Sequence, residues 1–252
     1  MIPFILPLKW FWIRTKFVVT LASLYQKRSN MNLLLNTLKI YIVLLPLFFF
    51  IMFPRQSISK ERQIWHTDTI SIPFGNSTTL IGQTELRYKK NLKTLYKHYQ
   101  GQLNLHIPYI DVACGYRHIY CRKNQGWVVK YHSLLDITFQ FNLLQCSISN
   151  RFRIIYRISK TKLHKWDRYS YSNLLELIMP IHFMGHNIKP YISDELFLKK
   201  QIINQNRGIL GLRMTYHTRT QLDLYYMLRL FKISHNTWGK QIIYGISFSL
   251  RF

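Results

Sequence analysis

The spacing of hydrophobic and polar residues changes character several times along this chain. Residues 40–53 (IYIVLLPLFFFIMF) form an uninterrupted apolar run with Pro46 inside it. Residues 54–82 are rich in Ser, Thr, Gln and Gly, with Pro73, Gly75 and Asn76 as turn signals, and read as a linker. Residues 85–99 (ELRYKKNLKTLYKHY) place Leu86, Leu92, Leu95, Tyr96 and Tyr99 on one helical face, which predicts a basic helix. Beyond Gly101, β-branched and aromatic residues dominate. Strands are predicted over 103–112, 127–131, 134–144, 152–159, 210–218 and 241–252. In 152–159 (FRIIYRIS), Arg153 and Arg157 interrupt an otherwise apolar run. Short helices are predicted over 174–179, capped by Ser170 or Ser172 and stopped near Pro180, and over 222–231 (LDLYYMLRLF). In the latter, Asp223 near the start and Arg229 and Lys232 near the end suit a helix dipole.

Grouped strands followed by strands separated by helices predict an α+β fold: an antiparallel sheet with helices packed on one face. The organisation expected is an N-terminal extension over 1–84, containing an apolar segment at 33–53 and the linker, then an α+β domain over 85–252. The run at 40–53 is shorter than the roughly 20 residues of a spanning helix, and reaching back to residue 33 takes in Lys39. Two readings stand for it: a single membrane anchor edged by Lys27, Arg28, Lys39 and Arg55, or an arm buried against partner proteins. Residues 1–27 carry no acid and start too apolar to be assigned as a transit peptide, which a protein made inside the organelle would not need.

Charge narrows the class. The 252 residues hold 35 Lys and Arg against 10 Asp and Glu, a formal charge of +25. Such self-repulsion implies a polyanionic partner. A hydrophobic content of 48% excludes a disordered basic tail. Three cysteines exclude a secreted disulfide scaffold. A mean hydropathy of −0.07 excludes a polytopic membrane protein on this reading. Alanine occurs at Ala22 and Ala113, while Phe, Tyr, Ile, Asn and Lys abound, the mark of an AT-rich and most simply organellar gene.

Candidate chemistry follows from basic residues interleaved with aromatics, a pattern that neutralises phosphates and stacks on unpaired bases. The candidate RNA contacts are Arg117, Arg122, Lys123, Arg151, Arg153 and Arg157, with a second patch of Arg87, Lys89, Lys90 and Lys93. Cys114, His118 and Cys121 give C-x3-H-x2-C, which matches no standard zinc site, so reduced thiols and no metal are expected. The acids are scattered, with only Asp194 and Glu195 close in sequence. No phosphate-binding glycine loop or nucleophile elbow is present, so no enzyme and no cofactor are expected.

Residues 147–154 (SISNRFRI), 171–181 (YSNLLELIMPI) and 211–233 (GLRMTYHTRTQLDLYYMLRLFKI), preceded by 106–115 (HIPYIDVACG), resemble in order segments of the large-subunit ribosomal protein five family. The family's glycine-rich loop is shortened here to 182–208. The resemblance implies a curved antiparallel sheet with helices on one side and binding of 5S rRNA at the central protuberance, beside neighbouring ribosomal proteins and the small-subunit head. The expectation is a structural constituent of a mitochondrial large ribosomal subunit, made in the organelle and residing in the matrix. The alternative is a single-pass accessory subunit of a respiratory-chain or ATP-synthase complex, which meets the membrane through 33–53.

Overall fold

The fold was obtained as a computed structural model. It describes residues 62–123, 126–143, 146–158, 168–179, 188–199, 202–216, 219–234 and 237–252. The chain divides into Met1–Gln56 and Ser57–Phe252. The first unit, and with it the apolar segment at 33–53, lies outside the described residues.

The described part is eleven strands: β1 (Arg62–Phe74), β2 (Thr78–Lys89), β3 (Thr94–Ile107), β4 (Ile110–Lys123), β5 (Gly126–Leu143), β6 (Cys146–Ile158), β7 (Tyr169–Ile178), β8 (Ile188–Lys199), β9 (Ile202–Tyr216), β10 (Thr220–Lys232) and β11 (Trp238–Arg251). Each strand pairs antiparallel with the next in sequence, and β1 pairs with β11 to close a barrel. That last pairing is parallel. An up-and-down meander with an odd number of strands brings its last strand back running the same way as its first, so closure leaves no other choice.

These findings correct the α+β expectation. The described residues contain no helix, and no helical layer packs on the sheet. The helix expected over 85–99 is the end of β2, a tight turn, and the start of β3. Its hinge is Leu92, held at φ 57°, with the Leu92 N–H donating to the Lys89 carbonyl at 2.9 Å. The helix expected over 174–179 lies largely in β7, and the one over 222–231 is β10. The stretch read as linker contains β1 and part of β2, so the expected boundary at residue 85 falls within β2. The strand expectations fare better: 127–131 and 134–144 merge into β5, and 152–159, 210–218 and 241–252 fall on β6, β9 and β11.

The register assigns every strand an inner and an outer face. One inward row crosses the wall through Tyr191, Gly211, Tyr225, Gly245, Trp65, Arg87 and Tyr96. Large rings alternate with glycines because each ring lies over the neighbouring strand, where a Cβ would be in its way. A Cβ on Gly245 would overlap the Tyr225 ring, and one on Gly211 would stand 2.5 Å from Tyr191 Cζ. Trp65, Met227 and Ile243 form the buried apolar cluster, with Ile209 and Tyr225 against it.

Gly245→Ala is expected to destabilise the barrel by about 1–3 kcal/mol through overpacking. Gly82, on the outer face, has nothing within 4 Å of its missing Cβ, so Gly82→Ala is expected to be neutral or mildly stabilising. Denaturant midpoints of the two variants test this, and equal losses would contradict the packing described.

Candidate functional site

The interior of the barrel is polar and its exterior is apolar. Buried inward positions include Gln63, Thr67, His98, Gln100, Asp136, Arg153, Ser172, Ser193, Glu195, Gln205, Asp223 and Gln241. The large hydrophobics left exposed include Ile64, Ile70, Leu80, Leu103, Val129, Leu135, Ile154, Leu210, Leu224, Tyr244 and Phe248, all on the outward register. A water-soluble sheet protein arranges its faces the other way round.

Alternation within single strands produces this inversion. In β6, Phe152, Ile154, Tyr156 and Ile158 point out while Arg151, Arg153, Ile155 and Arg157 point in. In β10, Leu222, Leu224, Tyr226, Leu228 and Leu230 point out against Asp223, Tyr225, Met227, Arg229 and Phe231.

Inside, acids are matched to cations. Arg153 donates to both carboxylate oxygens of Asp136, at 2.7 and 2.6 Å. Glu195 receives Arg207 at 3.2 Å and Arg151 at 3.5 Å. Arg213 bridges Asp223 at 2.9 Å and Glu176 at 3.2 Å. Arg87 pairs with Glu85 and is sandwiched between the Trp65 ring, 3.7 Å from its Cζ, and the Tyr96 ring, 3.9 Å away. Arg207 lies 4.4 Å from the Phe197 ring centroid.

Cations exceed acids in this lumen. Arg117 is held by the side-chain oxygen of Gln100, at 2.8 and 2.6 Å. Arg229 is held by the side-chain oxygens of Gln205, at 3.0 and 2.7 Å, and Gln241, at 3.2 Å. Arg207 and Arg229 face each other across β9 and β10. Among the described residues, none supplies a hydrogen-bond partner for His98 Nε2, His132 Nδ1, Ser172 Oγ, Gln205 Nε2, Arg151 Nε or Arg207 Nε. Polar groups of this kind are served by enclosed water.

The outer wall has polar exceptions, and several of them pair with one another. His66 Nε2 lies 2.8 Å from Asp68 Oδ2. Asn173 donates to Asn150 Oδ1 at 2.5 Å, and Asn206 to Asp194 Oδ1 at 2.7 Å.

The ten candidate contact residues separate into two groups. Arg87, Arg117, Arg151 and Arg153 sit in the lumen among the partners just described. Lys89, Lys123 and Arg157 point inward near one mouth of the barrel, Arg122 points outward there, and Lys90 and Lys93 occupy the β2–β3 turn at the same end. Cys114 and His118 face outward while Cys121 faces inward, so C-x3-H-x2-C is divided across the wall. Among the described residues no cluster of His, Cys, Asp and Glu could hold a metal. Sequence reasoning missed Gln100, Asp136, Glu195 and Trp65, whose signal was a lone polar or bulky residue on every second position.

A family model described as a protein of unknown function, DUF2490, matches residues 62–240. The chain belongs to the DUF2490 family. The match begins with β1 and ends within β11, so the DUF2490 region is the barrel itself. No curated protein and no solved structure matches the chain.

The side chains of Arg153 and Asp136 are 10% and 4% exposed, so removing one leaves the other charged and unpaired. Asp136→Ala is expected to cost about 3–5 kcal/mol, and the double variant Asp136→Leu/Arg153→Met less than that single one. Denaturant titration of both measures this, and a double variant worse than Asp136→Ala would contradict it.

Proposed function

We propose that this chain is an integral membrane protein of the β-barrel class, with lipid against its outer wall and a packed, cation-rich lumen. The observation that carries this reading is the inverted register, apolar outward and polar inward on strand after strand. Only helices and closed barrels satisfy every backbone polar group inside a bilayer, and this sheet has no open edge. The strands run from 10 to 18 residues, enough to cross a bilayer at a tilt. Among the described residues no helix is long and apolar enough to cross, and a barrel needs none.

Hydropathy misleads for this class, because half the residues of each strand face the lumen and offset the lipid-facing half. The value of −0.07 therefore speaks against a bundle of spanning helices and is compatible with a barrel. Ring packing around Trp65 and the ion pairs line the lumen.

A ribosomal constituent is the second reading, favoured by the +25 charge. It predicts RNase-sensitive sedimentation with a large ribosomal subunit. The membrane reading predicts RNase-insensitive recovery in membranes after alkaline carbonate washing, and migration on gels that changes with heating.

A substitution separates a wet wall from a lipid-facing one. Leu135 is 41% exposed on the outer face of β5. Leu135→Arg is expected to destabilise the folded barrel in bilayers by about 2–4 kcal/mol, the cost of an Arg near the midplane. On a water-exposed surface the same change would stay within about 0.5 kcal/mol. A neutral result together with release by carbonate would overturn the membrane reading.

A further inference from the structure

The meander sorts charge between the two ends of the barrel. One end carries the β2–β3, β4–β5, β6–β7, β8–β9 and β10–β11 connections and the start of β1. Among the described residues, no Asp or Glu occurs in the last three strand positions at that end, while Arg62, Lys90, Lys93, Arg122 and Lys123 stand exposed there. The opposite end is closer to balance, with Asp111 and Glu176 set against Lys189, Arg219 and Arg251. Its terminal outward positions are uncharged, among them Phe74, Ile107 and Leu250.

The outward cations at the basic end are held as interfacial anchors are. Lys97 Nζ lies 5.2 Å from the ring centroids of both Tyr120 and Trp127, and Arg122 Cζ lies 6.0 Å from the Trp127 ring. Such a side chain keeps its stem on apolar surface and its head at the water boundary, beside an amphipathic ring.

We propose that the basic end binds the headgroups of anionic phospholipids in the leaflet it meets. This rests on the membrane reading above. The exposed cations lie along the β1–β4 arc of the mouth where the apolar wall ends, which is the level of headgroup phosphates. An RNA would share the phosphate chemistry but would make no use of the apolar wall and the amphipathic rings beside those cations. Near an anionic surface the attraction of each Lys or Arg compounds with that of its neighbours, so a few engaged residues give a large effect.

The test presents the full chain, diluted from urea, to phosphatidylcholine vesicles with and without phosphatidylglycerol. Vesicles are floated, and folded barrel is scored by heat-modifiable migration. The expected result is about tenfold or more stronger recovery on anionic vesicles at low salt, an advantage that shrinks at high salt. The variant Lys90→Gln/Lys93→Gln/Arg122→Gln/Lys123→Gln should still fold on phosphatidylcholine and lose most of that preference. Equal recovery of folded barrel on both vesicle types would overturn this inference alone. Failure to fold on either would overturn the membrane reading beneath it. A preference abolished by stoichiometric poly(U), with a stable RNase-sensitive complex, would assign the basic end to RNA instead.

Discussion

The parallel pairing of β1 with β11 is the constraint on which the rest depends. It leaves the sheet without an edge, so backbone donors and acceptors along the strands are met by neighbouring strands. A closed sheet of this kind can place apolar side chains on its convex face without exposing polar backbone to a medium that cannot hydrogen-bond. Were that seam open, two rows of amide and carbonyl groups would need water or another chain, and an apolar exterior would be untenable. Closure also fixes register. A slip of one residue at any pair would turn a strand's arginines outward and its leucines inward.

Once the polar face is enclosed, the lumen must satisfy itself. It does so at three scales. Bulky rings alternate with glycines along the row from Tyr191 to Trp65, which lets each ring lie over a neighbouring strand without crowding its backbone. Acids are drawn into pairs and bridges, as with Asp136 and Arg153 or with Arg213 between Asp223 and Glu176. The surplus cations Arg117 and Arg229 rest on glutamine oxygens. Like charges directly across a strand pair repel, and the Arg207–Arg229 juxtaposition is tolerated where Glu195 and two glutamines share the load. The positive charge of the described strands is thus divided mainly between the lumen and one rim, rather than gathered on one polyanion-binding surface.

β5, β6, β9 and β11 were legible from β-branched and aromatic content, but the other strands were legible only in part or not at all, and the grouping was not. The helical reading of 222–231 arose because β10 is apolar on both faces: Tyr225, Met227 and Phe231 line the lumen opposite an outward leucine row, which hides period two. The reading of 85–99 arose because a strand end, a turn and a strand start put leucines at helical spacing by chance, with Leu92 in the left-handed region at the turn. The run FRIIYRIS held the clearest clue. Arg153 and Arg157 interrupt it on one parity only, the mark of a strand with a charged inner face. β1 hid in plain composition, since Gln63, Thr67, Thr69 and Ser71 are polar because they point inward. The candidate basic residues were found as a set, but their division between lumen and rim follows from strand register, which spacing within one segment does not reveal.

The central claim is that apolar parity faces lipid and polar parity faces the lumen. Nitroxide labels placed singly at residues 132–138 of β5, in the barrel reconstituted into bilayers, test it most directly. Collision with membrane-dissolved oxygen should be high at 133, 135 and 137 and low at 132, 134, 136 and 138, alternating with period two. A flat profile, or high oxygen access at the even positions, would contradict the account.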